Sequence, residues 1–142
     1  MTQALQQTLR AYADRLWNQH DLGAIEAYSA PGGVVHEFPG ASQLVDIATI
    51  TSRVERILQL MPDHVMRFGH MLSSDDAVFW SWRITGTWRV EGGDARPVDV
   101  AGASLYWFAD GRIIRRSGEA DALRLDHQTG RIKRDVRMLF PM

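Results

Sequence analysis

The chain has 142 residues, a net charge of −1 at pH 7 and no cysteine, a size that suits one domain able to bury its own core. The charge balance gives no field for nucleic acid or an anionic membrane, and the missing thiols exclude disulfides, thiolate metal sites and a cysteine nucleophile. No apolar run reaches the roughly 18 residues of a membrane span, and the opening MTQALQQTLRAYADRLW lacks the apolar core of a signal peptide, so a cytoplasmic location is expected. Residues Thr2 to His20 read as an amphipathic helix, with Leu5, Leu9, Tyr12, Leu16 and Trp17 on one stripe and Gln6, Arg10, Asp14 and Asn18 off it. Asp21 can cap a second, short helix from Leu22 to Tyr28, which Ala30-Pro31-Gly32-Gly33 ends. Val34 to Phe38 is a short strand with Val34, His36 and Phe38 on one face, and Pro39-Gly40 breaks it. A third helix runs from about Asp46 to Met61 on Ile47, Ile50, Val54, Ile57 or Leu58, and Met61, and Pro62-Asp63 stops it.

From there the period changes to two. Val65 to Leu72, Ala77 to Val90, Val98 to Phe108 and Arg112 to Asp121 read as strands joined by turns, the last turn being the hairpin signal Asp110-Gly111. On the long second strand Trp80, Trp82, Ile84 and Trp88 share a face, and Phe79, Ser81, Arg83, Thr85 and Thr87 share the other. Helices first and an antiparallel meander second argue an α+β fold. The basic stretch from Arg131 to Arg137 reads as a solvated extension of a single domain.

Four stretches together resemble the SnoaL-like polyketide cyclases of the NTF2-like superfamily. They are Trp17-Asn18-Gln19-His20-Asp21-Leu22-Gly23-Ala24-Ile25 with Tyr28 and Val34-Val35-His36; Met61-Pro62-Asp63; Asp76-Ala77-Val78 running into Thr85-Gly86-Thr87; and Asp110-Gly111-Arg112-Ile113 with Asp121 and Gln128-Thr129-Gly130. The resemblance covers about residues 10 to 130. It implies one NTF2-like cone over residues 1–142, with 131–142 an extension, in which a curved antiparallel sheet wraps three N-terminal helices around a pocket. It also implies a homodimer formed through the sheet, for which the face of Phe79, Ser81, Arg83, Thr85 and Thr87 is the candidate. Many relatives carry a tryptophan where this chain has Ser117.

Unbroken alternation from the Asp110-Gly111 turn puts Ile113, Arg115, Ser117, Glu119 and Asp121 on one face. Cyclases of the family use an aspartate matching Asp121 as general acid and base, and a carboxylate held among apolar groups has its pKa raised toward the range that suits proton transfer. Asp121 can equally cap a helical turn at Ala122-Leu123-Arg124-Leu125. His36 either faces the pocket, where a neutral imidazole can donate to a substrate oxygen, or is a core histidine bonded to backbone. Glu119 either shares the pocket with Asp121 or pairs with Arg115 or Arg83. Tyr12, Trp17, Phe38 and Trp82 are expected to hold the rings of a flat apolar ligand, or else to pack the gap between sheet and helix solid. No histidine pair has metal-ligand spacing and no phosphate-binding or nucleophile-elbow motif is present, so no metal or cofactor is expected.

The expectation is a cofactor-free enzyme acting on an apolar, ring-containing carbonyl compound, with Asp121 removing a proton beside the carbonyl and His36 stabilising the oxyanion. The alternatives are a non-catalytic domain that binds a small apolar molecule, and a hydrolase or dehydratase on the same scaffold.

Overall fold

The computed structural model describes residues 2–38, 40–89 and 93–131; the side chains of Thr2 and Phe38 lie outside the described part. Most of the tail read as an extension, from residue 132 on, lies outside it too. Helix α1 spans Thr2–Ala13 and buries Leu9, Tyr12 and Ala13. It does not run on as an α-helix to His20, because the backbone widens into one π turn over Asp14–Asn18, which buries Leu16. The turn has a reason at its end. The Asn18 amide pairs with the backbone of Met66, donating to its carbonyl at 3.1 Å and accepting from its N–H at 2.7 Å. Asn18 and Gln19 both donate to the Asp14 carboxylate, at 3.0 and 2.9 Å.

Helix α2 covers Gly23–Tyr28, with the Asp21 carboxylate accepting from the Gly23 N–H at 2.9 Å. Strand β1, Val34–Phe38, pairs antiparallel with β2, Ala41–Val45. The second of these is absent from the sequence reading, since four of its five residues are exposed and leave no alternation to detect. Gly33 enters β1 with φ +111°, and a Cβ there would strike the Val45 carbonyl oxygen, so only glycine lets the hairpin close. Helix α3, Ile47–Leu60, is capped by Asp46, whose Oδ1 accepts from the Thr49 N–H at 2.7 Å, and it buries Ile50, Val54 and Leu58.

The meander follows as β3 Val65–Ser73, β4 Ala77–Arg89, β5 Ala95–Ala109 and β6 Arg112–Ala120, and α4 Ala122–Gln128 closes it. Sheet order is β2-β1-β6-β5-β4-β3, with β1 parallel to β6 and the other neighbours antiparallel. The result is the expected α+β fold, a curved open sheet over helices. Asp110 and Gly111 both adopt positive φ, +50° and +73°, as a tight two-residue hairpin demands.

The concave face is fixed by burial. Val78 and Trp80 are closed off from solvent, whereas Phe79 between them is exposed. The main core joins Leu9, Leu16, Ile25, Val78, Trp80 and Ile113, and a smaller one joins Met61, Val98 and Val100 under Trp88 and Leu125. No helix among the described residues is long and apolar enough to cross a membrane.

One irregularity decides what the last strand shows to the interior. Phe108 faces Ile113, but Trp107 faces Arg115, so Ile114 is an extra residue in β6. A bulge of one residue reverses alternation beyond it. The inward positions are therefore Ile113, Arg116, Gly118 and Ala120, and Arg115, Ser117 and Glu119 turn outward.

Candidate functional site

Helices α1 and α2 and strands β1, β4, β5 and β6 bring an aromatic and cationic group together on the concave side. The Tyr12 ring sits 5.6 Å from Tyr28 and 6.2 Å from Tyr106, and Trp80 sits 6.3 Å from Tyr106. Arg116 is the register partner both of Tyr106 and of His36, and its guanidinium carbon lies 5.8 Å from the Tyr106 ring centre. Gly118 makes this possible, because a Cβ there would meet Arg116 Nη2 at 2.8 Å and Ser104 Oγ at 2.9 Å. Trp82 lies across Gly102, where a Cβ would strike its ring, and its Nε1 donates to Ser104 Oγ at 3.0 Å. Trp82 and Arg116 are half-buried, so this wall is reached from solvent at those two side chains.

Three polar atoms on the wall are buried without a hydrogen-bond partner among the described residues: His36 Nε2, Trp80 Nε1 and Arg116 Nε. Such atoms are uncommon, and each costs about 1–3 kcal/mol of uncompensated desolvation. Burial, then Arg116 and then Arg53, push the His36 imidazole down from 6.5 to about 4, so it is neutral at pH 7. Burial and the neighbouring Tyr106 raise the Tyr12 phenol, against the opposing pull of Arg116. Among the described residues no three His, Asp or Glu side chains gather as metal ligands would.

The His36 shift fixes a pH dependence. Because its folded pKa of about 4 lies below the ordinary 6.5, the unfolded chain binds the extra proton first. Stability is complete above the higher value and falls as pH drops from 6.5 toward 4. Denaturant unfolding at pH 7, 6 and 5 is expected to show this slope, and His36→Gln is expected to reduce it to the part that His64, which burial also holds below its ordinary value, contributes.

Of the residues singled out from sequence, Tyr12, His36 and Trp82 stand on or beside this wall. Trp17 instead stacks on His64 at 5.2 Å, and the His64 Nδ1–H donates to the Trp17 carbonyl at 3.1 Å. The Phe38 side chain lies outside the described residues. Glu119 and Asp121 are exposed, which corrects the expectation that both face an apolar pocket. For Glu119 the cause is the extra residue Ile114. Asp121 has left the strand: its N–H donates to the Ala101 carbonyl at 3.1 Å, and its Oδ1 accepts from the Arg124 N–H at 2.9 Å as the cap of α4. It lines a rim cleft of about 220 Å³ with Arg83, Asp99, Ala101 and Arg124. A larger cleft of about 720 Å³ lies beside Pro62, Asp63, Thr87 and Arg89. The cavity expected near Trp17, Phe38 and Trp82 is neither of these. Arg116, Tyr106 and Ser104 escaped the sequence reading because simple alternation points Arg116 outward. The one available signal was the pair Arg115-Arg116, of which a single bulge can turn either inward.

Residues 9–116 match the model of the SnoaL-like domain. No curated protein sequence matches the chain. Among solved structures, the chain is similar to a protein from Acidithiobacillus ferrooxidans, a polyketide cyclase by provisional assignment, with TM-score 0.76 and 22% identity over 89% of this chain and 94% of that one. It is also similar to AclR from Streptomyces galilaeus, provisionally a hydroxylase, with TM-score 0.81 and 18% identity over 93% and 99% of the two chains. TsrD from Streptomyces laurentii gives TM-score 0.77 and 18% identity over 93% and 99%. At these identities the likeness is one of fold.

Proposed function

Because the chain belongs to the SnoaL-like family, we propose that it is a cofactor-independent enzyme that moves a proton on an apolar, ring-containing carbonyl compound, as a polyketide cyclase or isomerase does. The observation that supports this is the pair His36 Nε2 and Arg116 Nε, carried by neighbouring strands, both buried and both without a partner, on an aromatic wall. The roles follow from their chemistry. Arg116 donates to the carbonyl oxygen and stabilises the charge that develops there. The neutral His36 takes the proton from the adjacent carbon. Burial depresses His36 most and Arg116 adds to it; the enolate charge offsets the Arg116 part, so the imidazole becomes more basic as the reaction proceeds. The enolate carbon attacks a second carbonyl and closes a ring, with the proton passing from His36 to the new alkoxide. Alternatively the proton returns at another carbon and a double bond has moved. Tyr12, Trp82 and Tyr106 hold the rings.

The placement of Asp121 favours a second reading, a domain that binds such a compound without turning it over, since its carboxylate is engaged by a backbone amide. Exchange of α-protons separates the two. A panel of aromatic ring ketones in deuterated buffer, followed by proton NMR, is expected to lose α-proton signal faster with the protein than without it. Binding without exchange would leave the binding reading in place.

Pairing of two copies over the convex face is part of the proposal. Leu72 and Phe79 are register partners there and are 68% and 38% exposed, a surface that suits two-fold contact. Sedimentation at micromolar concentration is expected to give the dimer mass, and Phe79→Arg to give the monomer.

A further inference from the structure

We infer that the compound held in the cone carries a carboxylate, and that Arg116 selects it. The inference rests on the reading of the concave wall as a ligand site and adds the charge of the ligand to it.

Among the described residues Arg116 has no counter-ion. Among the described residues the ion pairs of its neighbours lie elsewhere: Arg115 holds Glu37 at 2.9 Å on the other face of the sheet, and Arg83 holds Asp99 at the rim. The charged groups that act on His36 are Arg116 and Arg53, and those that act on Tyr12 are Tyr106 and Arg116. No carboxylate of the described residues is among them. The wall is therefore positive, and an apolar neutral ketone would leave it so. Arg116 has contact with the Tyr106 ring, which orients the guanidinium but does not neutralise it.

The geometry narrows the anion. Nε is buried and unpartnered, and Nη2, which shares an edge of the guanidinium with it, occupies the room that glycine leaves at position 118. That edge carries two parallel N–H donors, the fork that matches the two oxygens of a carboxylate, and a ligand reaches it when the half-buried side chain turns away from Gly118. His36, 7% exposed and with its Nε2 also unpartnered among the described residues, stands on the next strand opposite Arg116. A ring acid whose carboxylate takes the Nε–Nη2 edge leaves Nη1 to donate to the carbonyl oxygen, so one guanidinium serves both groups. The aromatic side chains on the same wall supply apolar contact, so charge and ring are recognised together.

The test compares 2-naphthoate with its methyl ester, which share the ring and differ in charge, by titration calorimetry at pH 7. Naphthoate is expected to bind about ten-fold or more tightly than the ester, one decade of affinity being about 1.4 kcal/mol. Arg116→Gln is expected to weaken both probes and to bring the acid down to the ester, and Arg116→Lys, which keeps the charge and loses the fork, to keep part of the difference. Circular dichroism identifies a variant that has not folded, and the lysine variant then carries the comparison. An ester that binds as well as the acid, or a preference that survives Arg116→Gln, overturns the inference and leaves the ligand site standing. Binding of neither probe overturns both.

Discussion

His36→Gln is expected to slow α-proton exchange by about 10²–10⁴-fold, the usual contribution of a positioned general base. Glutamine keeps a polar head of similar reach on β1 but has no lone pair basic enough to take a proton from carbon. Ligand affinity should change far less than the rate, because the rings rest on Tyr12, Trp82 and Tyr106. The informative partner experiment is Asp121→Ala. The Asp121 carboxylate caps α4 through the Arg124 N–H at 2.9 Å and is exposed. Its loss is expected to cost about 1 kcal/mol of stability, the typical value of a capping side chain, and to leave the exchange rate where it was. Measured together, the two variants decide which group handles the proton. A collapse of exchange in Asp121→Ala, with His36→Gln unaffected, would return the proton to the carboxylate and remove the imidazole from that role.

Trp80→Ala is expected to destabilise the fold by about 3–5 kcal/mol, the range for deleting a large buried aromatic. Trp80 is 1% exposed and its ring is held between Phe68 at 5.5 Å and Tyr106 at 6.3 Å. Trp80→Phe should cost much less than the lost volume suggests. The indole N–H is buried without a partner, so phenylalanine removes about 1–3 kcal/mol of desolvation penalty along with part of the ring. Urea unfolding with an unchanged slope reads both values. If phenylalanine proves as damaging as alanine, the indole N–H has a partner that matters to the folded state.

Most of the architecture could be read from sequence because its signals are local. The α3 stripe with its Asp46 cap, the change of period after Pro62, and the Asp110-Gly111 turn each declare themselves within a few residues. The failures share a different character. Strand β2 has no buried face to alternate. The π turn exists to deliver Asn18 to a strand far along the chain, and nothing near residue 14 announces that. The largest error came from Ile114. One unpaired residue between Trp107 and Phe108 on one side and Arg115 and Ile113 on the other exchanged the two faces of β6. It turned Glu119 outward and Arg116 to the concave side. His36 is buried with Val34 on the face that alternation gives it, because β1 is short and carries no such insertion before it.

The seam between β1 and β6 has a consequence for how the molecule assembles. The meander from β3 to β6 is built of neighbouring hairpins whose loop-closure entropy is small, whereas the parallel seam joins strands separated by most of the chain. Contacts of such high order form late. His36 and Arg116 face each other across that seam, so the pair comes into being in the same step that completes the native topology. A kinetic intermediate with an intact meander and all its tryptophans packed would still lack the constellation, and recovery of ligand binding during refolding would trail recovery of secondary structure.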